Sequence, residues 1–91
     1  MSVTVRIPTQ LRPLTGGEGE IVLEAASVRE ALSELESAHP GIGDRLLDES
    51  GQLRRFVNVF VADEDVRFLD GLDTTLESGQ TVSVVPAVAG G

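Results

Sequence analysis

The chain contains no cysteine, no lysine and a single histidine, His39. Without cysteine there is no disulfide, no thiolate metal site and no thiol nucleophile. Without lysine no side-chain amine can attack an activated acyl group, and no ammonium can meet a phosphate. The glycine-rich stretches "TGGEG" (15–19) and "GIG" (41–43) therefore read as turns, because neither continues into the GK[ST] of a phosphate loop. One histidine cannot form a histidine metal pair, and its place at the end of an amphipathic segment suits a helix cap. "DED" (63–65) resembles the start of a calcium loop, but the sixth position, which must be glycine, is Phe68. No apolar run approaches the ~20 residues that span a bilayer, and "MSVTVRIP" lacks a signal-peptide layout. The expectation is a cytoplasmic protein without a membrane partner.

Fifteen acidic residues against seven basic ones give a formal charge of −8, and every basic residue is arginine. Nucleic acid binding needs a cationic surface to replace condensed counterions, so the balance argues against it. It suits a basic protein partner, or simply solubility. The carboxylates are scattered, and no acid–base pair stands out. The expectation is a protein that is not an enzyme, with no catalytic side chains, no metal and no permanently bound cofactor.

Ninety-one residues make one domain. "VTVRIP" (3–8) alternates Val3, Val5 and Ile7 against Thr4 and Arg6, a half-buried strand stopped by Pro8. "RPLTGGEG" (12–19) reads as a loop, and "EIVLEA" (20–25) as the hairpin partner of the first strand. Ser27 and Glu30 form a capping-box pattern ahead of a helix that places Val28, Ala31, Leu32, Leu35 and Ala38 on one face. His39-Pro40-Gly41 stops it. A short helical turn is expected around 45–47, a third strand over 55–63, and a brief fourth strand over 65–69. An irregular crossover over 71–80 then leads to the last strand, "TVSVVP" (81–86). The order ββαβ(β)β with one main helix predicts an α+β, ubiquitin-like β-grasp: a mixed four- to five-stranded sheet with the first and last strands adjacent at its centre. The domain is expected to span 1–85, with a flexible tail over 86–91.

The tail, Pro86-Ala87-Val88-Ala89-Gly90-Gly91, supplies a reactive group that needs no side chain. Pro86 lacks an N–H and should release the chain from the sheet. Six extended residues reach about 20 Å, enough to enter a partner's pocket. Gly90 and Gly91 lack Cβ atoms, so the terminal carboxylate can approach a nucleotide closely. If a partner presents Mg-ATP, a Gly91 oxygen can attack the α-phosphate, and a sulfur nucleophile can then displace AMP from the acyl-adenylate.

The element order, "RFVNVFVADEDVRF" (55–68) and a final strand running into "VVPAVAGG" (84–91) together resemble the ubiquitin-like sulfur-carrier proteins of the ThiS/MoaD family, over nearly the whole chain. Within that family the sequence is most similar to the carriers of actinobacterial cysteine synthesis. The resemblance implies adenylation by an E1-like enzyme using ATP and magnesium, and a thiocarboxylate on Gly91 with Gly90 as its required neighbour. It implies sulfur delivery to a PLP-dependent, cysteine-synthase-type acceptor and removal of the product by a zinc-dependent peptidase. Two alternatives stay open: a small subunit of a molybdopterin-synthase-like complex whose tail plugs the partner's active site, and a ubiquitin-like protein modifier. For docking, parity places Ser83 and Val85 on the outward sheet face with Arg6 and Pro8. Pro8, Phe60 and Val85 are the candidate patch, against the alternative that Phe56 and Phe60 complete the core.

Overall fold

The computed structural model describes residues 2–55 and 57–86. Five strands form one sheet: β1 (Ser2–Arg6), β2 (Glu20–Glu24), β3 (Val57–Val61), β4 (Glu64–Asp65) and β5 (Thr81–Pro86), in the spatial order β2-β1-β5-β3-β4. The first and last strands lie side by side and parallel at its centre, as the order of elements predicts, and the β1–β2 hairpin is antiparallel.

Alternation decides the two faces. Val3, Val5, Ile7, Val57, Val59, Val61, Val82 and Val84 are all buried on one side, under the helix α1 (Val28–Ala38). That helix contributes Val28, Ala31, Leu32 and Leu35, each at most 2% exposed. Ser27 Oγ accepts the Glu30 N–H at 3.2 Å, as the capping box requires. The reciprocal half differs: the Glu30 carboxylate takes the Ala26 N–H, one residue earlier than the usual partner. The strand-like approach to the helix explains the shift. Ser27 bridges to Thr75, and the Ala26 carbonyl accepts the Leu76 N–H, which turns the Ala26 amide toward Glu30.

Ala38 is exposed, contrary to the helical-face expectation. The last turn overruns the core, and Ile42, fully buried after the His39-Pro40-Gly41 stop, takes the next core position instead. His39 caps the helix, its N–H donating to the Leu35 carbonyl. A short helix α2 (Gly43–Leu46) follows, near the expected turn.

Two further expectations are corrected. The segment 12–19 is not simply a loop, because Thr9–Thr15 form a 3-10 helix with Pro13 inside it. At seven residues this is long for a 3-10 helix, and Pro13 contributes no N–H to it. The buried Thr15 hydroxyl lies 2.7 Å from the Glu18 carbonyl and 3.1 Å from that of Arg12, and Gly16 and Gly17 turn the chain at φ 68° and 91°. The fourth strand is only Glu64–Asp65. Residues Val66–Phe68 coil into a 3-10 turn because Asp65 Oδ1 accepts the Arg67 N–H at 2.8 Å and caps it. Among the described residues no helix is long and apolar enough to cross a membrane.

Candidate functional site

The place where β5 delivers the chain to its tail is the candidate site. Thr4 N–H donates to the Gln80 carbonyl at 3.0 Å, which fixes the phase of the parallel β1–β5 ladder. Donors in this ladder alternate, so the next ones after residues 6 and 84 belong to residues 8 and 86. Both are prolines, and the central ladder ends there for want of an N–H from either strand. Pro86 nevertheless stays in β5, opposite Val57 of β3. By the same alternation its nitrogen points at β1, so it forfeits nothing on the β3 side. The expected boundary at residue 85 is thus one residue early: Pro86 belongs to the domain. Ala87, Val88, Ala89, Gly90 and Gly91 lie outside the described residues, as does Phe56.

Pro8, Val85 and Pro86 line one cleft of about 460 Å³ between the end of β5 and the Thr9–Thr15 helix, with Arg6 and Arg12 on its walls. Val85 is 43% exposed although it sits in an inner strand, because among the described residues no element covers the outward face here. Phe60 is half-buried on the same outward face, opposite Ser83 and one rung from Val85. It is absent from the buried core cluster. The structure therefore brings Pro8, Val85 and Phe60 onto one surface, and the alternative of Phe60 in the core does not hold.

Sequence reasoning placed Arg6 on this face but did not find Arg12 or Arg67. Arg12 Nε donates to the Ile7 carbonyl at 3.1 Å, and its guanidinium lies over Gly19, where an added Cβ would stand 3.1 Å from it. Arg67 reaches back from the 3-10 turn, donating to Asn58 Oδ1 at 2.7 Å and to the Arg54 carbonyl at 2.9 Å. Asn58 pairs with Val85, so Arg67 flanks Val85 from one side while Arg12 and Arg6 flank it from the other. Phe68, 84% exposed, was also missed, because 65–69 read as strand rather than as a turn that pushes one side chain outward. Among the described residues no three of His, Asp and Glu gather to hold a metal ion.

Comparison with known proteins gives a consistent picture. The model of the ThiS family matches residues 5–91. The chain is 50% identical to the sulfur carrier protein CysO of Mycobacterium tuberculosis, over 100% of both chains. It is 42% identical to small archaeal modifier protein 3 of Haloferax volcanii, over 72% of this chain and 71% of that one. Among solved structures, the BexX/CysO complex of Amycolatopsis orientalis contains a chain 50% identical to this one. It superposes with a TM-score of 0.92 over 98% of this chain and 99% of that chain. The β-grasp architecture expected from the element order is that of these structures.

Proposed function

The chain belongs to the ThiS family and is a sulfur carrier, and we propose that it works through the Gly91 carboxylate, activated and consumed by partner enzymes rather than by side chains of its own. The observation that carries this reading is the end-to-end match to CysO, with the family match running through Gly91. The fold supports it, since β5 is central to the sheet and its end is exposed to a partner.

The chemistry needs no group from the folded body. A Gly91 oxygen attacks the α-phosphate of ATP held with magnesium by an E1-like partner; pyrophosphate leaves and an acyl-adenylate forms. Hydrosulfide then attacks the acyl carbon, AMP leaves with the bonding pair, a proton is lost, and the thiocarboxylate remains. The chain itself contains no thiol or lysine amine to intercept the acyl group. The thiocarboxylate donates its sulfur to an acceptor enzyme, for which a PLP-dependent cysteine synthase is our choice, with a zinc-dependent peptidase releasing the product. Pro8, Phe60 and Val85 form the surface on which the activating partner rests, with residues 87–89 spanning from that surface to the partner's nucleotide.

Intact-mass measurement tests this. Incubation with an E1-like enzyme, Mg-ATP and sulfide should add about 16 Da as one oxygen is replaced by sulfur, and deletion of Gly91 should abolish the gain. An unmodified wild-type chain would overturn the proposal. The likeness to small archaeal modifier protein 3 favours a second reading, attachment of the same activated terminus to lysines of other proteins. Adducts of the whole chain on partner lysines, in place of the sulfur exchange, would select it.

A further inference from the structure

The molecule is strongly acidic, yet the end of its outward sheet face is edged by arginine. At this end of the face Glu20 sits 3.7 Å from Arg6, with both side chains well exposed. Arg12 and Arg67 have no carboxylate partner among the described residues. Their donors go to the neutral oxygens of Ile7, Asn58 and Arg54, so each guanidinium is braced in place with its charge uncompensated. Bracing by neutral acceptors costs a guanidinium little entropy on binding and leaves further N–H groups for another acceptor. Arg29, by contrast, is paired with Asp73 on the helix side of the sheet.

These groups surround the apolar residues already placed at the tail root. Val85 and Pro8 form the centre, Arg67 stands on the β3 side, and Arg12 with Arg6 stands on the β1 side. An apolar centre with a charged rim is the anatomy of a transient protein interface, where the rim sets encounter rate and partner choice. We infer that this arginine rim docks an acidic surface of the enzyme that takes the tail, with carboxylates of that enzyme bound by Arg12 and Arg67. The inference rests on the carrier reading above and specifies the chemistry of its partner.

Carboxylates fit the rim better than the phosphates of the partner's nucleotide. Five residues can span up to about 17 Å, so a nucleotide that meets Gly91 at full reach lies beyond the arginines around Val85. Nucleic acid is disfavoured by the overall charge of −8, which would repel a polyanion larger than the rim. A partner carboxylate pair meets both charges locally, and the acidic remainder of the molecule then repels the same partner from any other orientation. The rim thus fixes the docking orientation as well as the rate.

The test is the KM of the full chain as substrate of the E1-like enzyme, read as thiocarboxylate by intact mass, at about 50 and about 300 mM NaCl. The wild-type KM should rise with salt. The double variant Arg12→Gln, Arg67→Gln should raise the low-salt KM about tenfold, leave kcat unchanged and flatten the salt dependence. Arg12→Lys with Arg67→Lys should keep the salt dependence, since the charge is retained while the braced fork is lost. Arg29→Gln should behave as wild type. Glutamine and lysine variants that lose KM equally, with the wild-type salt slope intact, would show that the arginines only brace the fold, and the inference would fall. A Gln variant indistinguishable from wild type would overturn it as well. Failure of the wild-type chain to be converted at all would instead remove the carrier reading, and this inference with it.

Discussion

Pro8 and Pro86 stand one residue out of register with each other at the end of the β1–β5 ladder, each where the next hydrogen-bond donor would be. The two prolines, together with the coiling of the chain into the Thr9–Thr15 helix directly after Pro8, explain why the central pair of strands stops. Replacing Pro86 by alanine should create an amide on the β1 side of β5, where the Pro8 carbonyl, which already accepts the Leu11 N–H at 2.9 Å, would take it as a second bond. That bond would add about 1 kcal/mol, offset in part by the greater freedom of the unfolded chain. Melting temperature should therefore change little, while hydrogen exchange at the newly created amide of position 86 should be clearly slowed. Exchange at the rate of a free peptide would mean that the ladder does not run in this phase.

Val85 gives the docking surface a direct test. Its side chain is partly exposed on the outward face, so Val85→Asp removes apolar contact area without opening the core. Stability should fall by no more than about 1 kcal/mol, the usual range for a strand-surface change. Conversion by the activating enzyme should drop through KM. Unchanged conversion kinetics in a folded variant would remove Val85 from the partner surface.

The β3–β4 turn stores strain that can be relieved. Ala62 and Asp63 both have positive φ, 52° and 70°, in a two-residue hairpin turn that favours Asn-Gly. Alanine pays a steric penalty there, since its Cβ crowds the following carbonyl. The double change Ala62→Asn, Asp63→Gly should raise stability by about 1 kcal/mol, seen as a gain of roughly 4–8 °C in Tm. A lower Tm would show that the native pair makes contacts worth more than the strain.

Asp48 offers a test at acid pH. Its Oδ1 accepts the Ser50 hydroxyl at 2.7 Å and the backbone N–H groups of Ser50 and Gln52 at 2.9 and 3.1 Å. The Ser50 hydroxyl first, and then the Gln52 amide, hold its pKa below the ordinary aspartate value by favouring the charged form. A depressed pKa contributes stability that is present above the unfolded-state value and is lost as pH falls through the folded one. NMR titration of the Asp48 carboxyl should give a midpoint below that of a free aspartate, and Ser50→Ala should move it upward. An unmoved midpoint would assign the shift to the backbone amides alone.

Much of this architecture is legible from local pattern. The period-two alternation in "VTVRI" and "VSVV" fixes which side chains meet the helix, because one face of each strand must be buried. Ser27 and Glu30 announce the helix start, since an N-cap hydroxyl and a carboxylate three residues on answer orphan amides within a single turn. The role proposed for the tail is read the same way, from the absence of side chains on Gly90 and Gly91.

Features carried by neighbours in the chain, the strand faces and the capped helix, could therefore be read without the fold. Long-range packing, by contrast, sets Phe60 outward and puts Ile42 in place of Ala38 in the core. It alone brought Arg12 and Arg67 to opposite sides of Val85. The physical reason is one of range. Alternation and capping act over a few residues, whereas the neighbours of Val85 come from β1 and β3, whose register no local pattern encodes.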